Sequence, residues 1–259
     1  MRLTTKAYWD ARYRPVVRPR RAVADPRRSY FADEFLRVID PHLRNATGER
    51  PVRLLEMGCG NSTWLPYFAV NRNYRVAGVD YSEQGCRMAE ANLAATGSAG
   101  QIYCCDFNNL RAEFMASYDV VLSLGVVEHF DNTAEIVGRF AACLAPGGLI
   151  ITLVPNMTGA MGYLQKVVDH KVYAFHVPLD KDLLAQSHVA NGLTVRTAAY
   201  FGFLDLSMIN ISRLPLQRLL GKGLGAMERL HATLRRLSNV RPQSESWSSF
   251  VVVVAEKAN

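Results

Sequence analysis

The stretch Leu54-Leu55-Glu56-Met57-Gly58-Cys59-Gly60-Asn61-Ser62, with Val79-Asp80 closing the next apolar run, constrains this chain more than any other. An apolar strand runs into a turn where Gly58 and Gly60 let the backbone bend sharply and approach a ligand without an intervening side chain. The next strand ends in Asp80, about 20 residues beyond the glycines, where an α/β unit presents a carboxylate to ribose hydroxyls. The pattern points to a nucleoside. The G-x-G-x-x-G register of dinucleotide folds lacks its third glycine, because Thr63 stands there, and no Lys-Ser/Thr pair follows to make a phosphate loop. A tight strand-to-helix turn without a ligand is the alternative reading of the glycines alone.

The segments downstream narrow that choice. A strand over 101–105 ends in Asp106-Phe107, and Tyr118 to Leu124 leads into Gly125-Val126-Val127-Glu128-His129. After a helix-patterned stretch, Leu144-Ala145-Pro146-Gly147-Gly148 opens the apolar run Leu149 to Val154, followed by Pro155-Asn156. In an open parallel sheet, ligands lie beyond the carboxyl ends of the strands, and Glu56, Asp80, Asp106 and the Ser123–His129 segment all fall there. Strands are predicted near 52–57, 74–79, 101–105, 118–124, 148–154, 193–200 and 249–255. Helices are predicted near 31–43, 62–70, 83–96, 132–144 and 180–190. This alternation gives an α/β fold with a mostly parallel sheet and helices on both faces. The run Val251 to Val254 is apolar without alternation, as in a strand covered on both sides.

Taken in order and spacing, the E-x-G-C-G turn, the V-D pair, the C-D-F triplet, the L-G-V-V-E-H segment and the L-x-P-G-G turn resemble those of class I S-adenosylmethionine-dependent methyltransferases. The resemblance covers roughly 9–200 plus the closing strand, and Ser62 replaces a small residue that is often glycine. It implies a Rossmann-like sheet of seven strands whose last strand is antiparallel and lies beside the sixth. It implies S-adenosylmethionine as cofactor and S-adenosylhomocysteine as product. By position, Gly58, Cys59 and Gly60 pass the methionine part, with Glu56 supporting the turn. Asp80 holds the ribose and Tyr81 borders the adenine. Asp106 accepts from the adenine amino group beside Phe107, and the backbone at Ser123 and Leu124 meets the ammonium.

The chain has 259 residues and a net charge of +7, fitting one methyltransferase domain over 1–259. Within it, 1–46 is read as a lid or arm, 50–156 as the cofactor-binding core, and 157–192 and 204–245 as substrate-capping helical insertions. No apolar run approaches the roughly 20 residues of a membrane span, and the basic N-terminus lacks a signal-peptide core, so a cytoplasmic location is expected. The five cysteines show neither disulfide nor zinc spacing. Positive charge is regional: residues 1–28 carry nine Lys or Arg against two Asp, and 209–241 carries seven against Glu228. That second segment has leucines at helical spacing and reads as a cap with a possible dimer contact. Its cations are not interleaved with aromatics, which argues against nucleic acid.

Chemistry is expected from the Glu128-His129 pair: His129, titrating near neutral pH, takes the proton of a hydroxyl or phenol, and Glu128 orients it, binds a cationic amine or itself acts as base. Some quinone-biosynthesis O-methyltransferases with a similar E-H segment carry a further glutamate three residues earlier and bind a divalent metal. Gly125 occupies that position, so no metal is expected. The arm contributes Arg12 and Tyr13, and the segment after Asn156 contributes Tyr163 and His176, with Asn156 a donor to the acceptor. The aromatic and methionine content of that insertion suits a small, partly apolar or aromatic acceptor. O-methylation of a hydroxyl or carboxylate is the first reading, with N-methylation, or C-methylation of an isoprenoid-type acceptor, as alternatives. A nucleic-acid methyltransferase and a non-catalytic cofactor-binding protein complete the set.

Overall fold

The computed structural model describes residues 1–13, 29–44, 50–205, 208–210 and 243–259, with single positions at 23, 25, 223, 226 and 233. Most of the basic leucine-patterned segment and of the 14–28 arm lies outside the described residues. Seven strands form one sheet: β1 (Arg53–Met57), β2 (Arg75–Asp80), β3 (Gly100–Cys104), β4 (Tyr118–Leu124), β5 (Leu144–Pro155), β6 (Thr194–Phe203) and β7 (Ser248–Glu256). Their order is β3-β2-β1-β4-β5-β7-β6. The first five are mutually parallel, and β7 runs antiparallel between β5 and β6. This is the Rossmann-like seven-stranded arrangement expected from the motifs.

The valine run shows why the sheet needs helices on both sides. Val252 and Val254 enter the apolar layer with Phe35, Leu65 and Phe68, whereas Val251 and Val253 enter the one with Val137, Phe140 and Leu184. Period-two geometry sends neighbours to opposite faces, so an unbroken apolar run must be covered twice. The first face is covered by α2 (Tyr30–Ile39) and α3 (Trp64–Arg72), the second by α5 (Thr133–Ala142) and α8 (Lys181–Val189). On the first face Glu34 is buried as well, and its Oε2 accepts from the Gly202 amide at 2.8 Å.

Three further helices stand at the carboxyl ends of the strands. Helix α1 (Lys6–Arg12) is capped by Thr5, whose side chain accepts from the Tyr8 amide. It lies against α4 (Glu83–Ala95), where the Ser82 hydroxyl donates to Asp10 at 2.6 Å and Lys6 meets Glu83 at 3.2 Å. The insertion after β5 folds into α6 (Ala160–Val168) and the single turn α7 (His170–Tyr173). No described helix is long and apolar enough to cross a membrane. With the Gly58–Gly60 turn below, α1 on one side and the insertion on the other, the strand ends face a cavity of about 580 Å³.

Candidate active site

The glycine turn is conformationally specified. Gly58 and Gly60 both have positive φ, +68° and +39°, a region that costs an L-residue strain. A Cβ on Gly58 would come within 2.5 Å of Val126, and one on Gly60 within 2.2 Å of the Tyr13 hydroxyl. Below the turn, Glu56 is buried and accepts from Ser62 Oγ at 2.5 Å. That serine oxygen in turn accepts from the amides of Trp64 and Leu65 and starts α3. The departure from glycine at this position therefore supplies the hydroxyl that satisfies Glu56. Burial raises the Glu56 carboxyl to about 8, with the Ser62 hydroxyl opposing.

Asp80 completes this end. Its Oδ2 accepts from the Gly60 amide at 2.8 Å and its Oδ1 from the Ser82 amide at 2.7 Å. The carboxylate thus fixes the turn while forming part of the cavity wall with Tyr81, Phe107 and Leu124. Burial raises its pKa, and the Ser82 and Gly60 amides hold it back. Cys59 is buried and its thiol is pushed far up, first by burial, so it contributes backbone and not a nucleophile. Ser123 Oγ is buried with no hydrogen-bond partner. A close-approach glycine turn, a wall carboxylate and an apolar slot fit a nucleoside carrying an amino-acid tail.

The arm is built into the site. Arg2 pairs antiparallel with Phe130, and the Leu3 amide donates to His129 O at 2.8 Å. The Arg2 guanidinium lies 4.4 Å from the Tyr81 ring centre and donates to both Asp106 oxygens at 2.8 and 2.9 Å. Asp106, expected to face an adenine amino group, is ion-paired with Arg2 instead. A lone arginine in a basic arm carries no sequence mark of that role. Trp9 stacks on Tyr13 and meets His129 edge-on at 5.3 Å, while Tyr13 covers Gly60. Arg12 and Tyr13 both line the cavity.

The opposite end gathers Glu128, His129 and His176. Glu128 is 1% exposed, and its Oε2 has no hydrogen-bond partner. Burial raises its carboxyl to about 8, with a backbone hydrogen bond opposing. The insertion clamps this turn: Val177 N donates to Glu128 O at 2.7 Å, and His129 Nδ1 meets Phe175 O at 2.6 Å. A carbonyl only accepts, so Nδ1 carries the proton and Nε2 is left as an acceptor, 3.9 Å from Glu128 Oε1. Burial, then the charges of His176 and Arg12, lower His129 to about 3. The expectation that it titrates near neutrality therefore fails, because the ring is too dry to charge. For the same reason the 3.9 Å contact is not an ion pair.

Two expected substrate contacts are corrected. Asn156 is fully buried. Its amide donates to Glu245 O and Ser248 O, at 2.7 and 2.8 Å, and its oxygen accepts from Thr158 and Gly159. Every polar position is committed to joining β5 to the segment before β7, so none remains for an acceptor. Tyr163 is 70% exposed on α6 and does not line the cavity. The helix presents Met161 and Gln165 inward instead, and Gln165 Oε1 accepts from the Asn210 amide at 2.7 Å. Met208 and Ile209 join Met157 and Val172 in lining this end.

A curated relative, the ubiquinone biosynthesis O-methyltransferase of Caulobacter sp. (strain K31), is 34% identical over 118 residues, 44% of this chain and 46% of the relative. The chain spans about half the length of the curated relatives it first matches. Among solved structures, a SAM-dependent methyltransferase from Archaeoglobus fulgidus superposes with a TM-score of 0.57 at 17% identity, covering 88% of this chain and 94% of its own. The [4+2]-cyclase SpnF superposes with 0.61 at 15%, covering 91% and 84%. At these identities the likeness shows the fold, which has hosted more than one chemistry. Residues 28–188 match the model of the methyltransferase domain, and this chain belongs to that S-adenosylmethionine-dependent methyltransferase family.

Proposed function

We propose that the chain transfers the methyl group of S-adenosylmethionine to an oxygen of a small-molecule acceptor, a hydroxyl or carboxylate, in biosynthesis. The observation that carries the reading is the Glu128 carboxyl, buried at the cavity wall with an oxygen that has no hydrogen-bond partner. Such a group is expensive to bury unless something uses it. Curated relatives named as O-methyltransferases support the choice of oxygen.

Gly58, Gly60, Asp80, Tyr81, Phe107 and Leu124 would hold the cofactor, which when bound supplies a methyl group activated on a positively charged sulfur. The remaining work falls to the chain. It must align the acceptor oxygen in line with that methyl group, keep water out and take the acceptor's proton. Glu128, whose carboxyl burial raises to about 8, is the proton acceptor in its ionised form, in reversal of the sequence-based ranking. His129 positions the turn through Phe175 and offers Nε2 to the acceptor hydroxyl. Trp9, Tyr13 and the insertion exclude water. Met157, Val172, Met208 and Ile209 favour an acceptor with an apolar body.

The test is transfer of labelled methyl from S-adenosylmethionine to a panel of phenols, alcohols and carboxylic acids, with products read by mass spectrometry. Label on oxygen is expected. Label exclusively on nitrogen or carbon overturns the choice of atom, and no label with bound cofactor overturns the enzyme reading.

A further inference from the structure

We infer that the Arg2 guanidinium is a built-in occupant of the base slot, holding the place of the cofactor's adenine, so that the strap carrying it has to be displaced before the cofactor seats. The inference rests on the methyl-transfer reading of this cavity. Strand order sets where the base lies. From β1 the sheet continues through β2 to β3 on one side and through β4 to β5 on the other. The glycine turn follows β1, and Asp80 ends β2. A nucleoside whose amino-acid tail passes the turn and whose ribose meets Asp80 therefore sends its base outward, across the ends of β2 and β3. The cavity wall there is made by Tyr81 and Phe107.

The guanidinium fills that position. Its carbon lies over the faces of three rings, 4.4 Å from the centre of Tyr81, 5.3 Å from Phe130 and 5.6 Å from Phe107. A base inserted between the guanidinium and either slot ring would need about 7 Å, two contact layers, so neither gap admits one. Arg2 Nη2 donates to both Asp106 oxygens, at 2.8 and 2.9 Å. A flat group with its faces on aromatic rings and an amino edge on a carboxylate makes the contacts that an adenine would make. Arg2 lines the cavity, and Asp106 stands behind it and does not.

The attachment is short enough to release. Arg2 forms one antiparallel bridge to Phe130, the Leu3 amide donates to His129 O at 2.8 Å, and the Asp131 amide donates to Met1 O at 3.1 Å. Thr4 Oγ1 accepts from Trp9 Nε1 at 3.0 Å and ties the strap to α1. The Arg2 and Asp106 side chains are 21% and 31% exposed, so water screens their ion pair and takes up the guanidinium when it leaves. An arriving adenine inherits the Asp106 oxygens and the Tyr81 face. The contact divides the intrinsic affinity for the cofactor by the fraction of chains whose slot is open. Because Leu3 hangs on His129 O, displacement also frees one bond of the turn that carries Glu128.

The test is S-adenosylhomocysteine binding to the full chain, by calorimetry and stopped flow. Arg2→Ala empties the slot and keeps the backbone bonds of the strap, so affinity should rise by about 5–30-fold, with faster association. Hydrogen exchange on wild type gives a second readout that does not depend on how the variant folds. The Leu3 and Asp131 amides should exchange faster with S-adenosylhomocysteine bound. Affinity that Arg2→Ala lowers or leaves unchanged, or slower exchange of those amides in the complex, overturns the occupant and leaves the methyl-transfer reading standing. Failure of both wild type and Arg2→Ala to bind S-adenosylhomocysteine overturns the methyl-transfer reading instead.

Discussion

At the cofactor end of the cavity, Glu56, Gly58, Gly60, Ser62, Asp80 and Ser82 hold one another through bonds made within two consecutive strand–helix units. At the acceptor end, Glu128 and His129 take their partners from Leu3 at the start of the chain and from Phe175 and Val177 in the insertion. The first end is a local structure that strand geometry almost dictates. The second is assembled from three distant segments, and its central carboxylate is left unpaired. On the proposed reading, preorganisation is thus concentrated where the cofactor would bind, and unsatisfied polarity where the acceptor would react.

The comparison is broken most severely by Asp80→Ala. It removes the wall carboxylate and releases the Gly60 and Ser82 amides, so calorimetry should find S-adenosylhomocysteine binding lost. Retained affinity would mean that the turn holds without its acid. Glu128→Gln should act on the other end only. Turnover should fall by about 10²–10⁴-fold, with S-adenosylhomocysteine affinity unchanged, and a matching loss of affinity would merge the two ends into one unit.

Stability measurements sharpen the contrast. Asn156→Ala should lower stability in urea by about 2–3 kcal/mol, because it orphans two buried carbonyls and two amides. The KM for the acceptor should not change, and a selective rise in KM would restore Asn156 to the substrate site. At the cofactor end, Glu56 stays protonated in the folded protein up to about pH 8, but ionises near its ordinary 4.5 when unfolded. Between those values the native state binds the extra proton, so this group's contribution to stability falls as pH rises and levels off above 8. Glu56→Gln should therefore gain on wild type by about 4 kcal/mol between pH 5 and 8.5, and parallel pH profiles would refute the raised carboxyl. Tyr163→Ala should change stability by less than about 0.5 kcal/mol and leave turnover unchanged.

The sheet was legible because its signals are periodic and local. Apolar runs of strand length alternating with amphipathic helices specify a parallel core, and unbroken valines specify a strand covered twice. The glycine turn and Asp80 were legible for a related reason: left-handed backbone and close approach demand glycine, and a strand end puts a side chain at the ligand. Asn156 misled because a polar residue after a strand looks the same in sequence whether it faces a ligand or stitches a junction. Nothing in the sequence distinguished Arg2 from the other cations of the arm, or Tyr163, which points outward, from Met161, which points inward.

The sequence by itself determined the α/β order, the glycine turn and the acids at the strand ends, since each depends on dihedral preference and spacing along a single unit. Only the tertiary structure decided the chemistry at the far end. It withdrew water from Glu128 and His129, moving one pKa up to about 8 and the other down to about 3. It also carried His176 in from the insertion to face them. Desolvation and convergence are properties of what surrounds a residue in space, and the surroundings here come from chain ends and insertions far away in sequence.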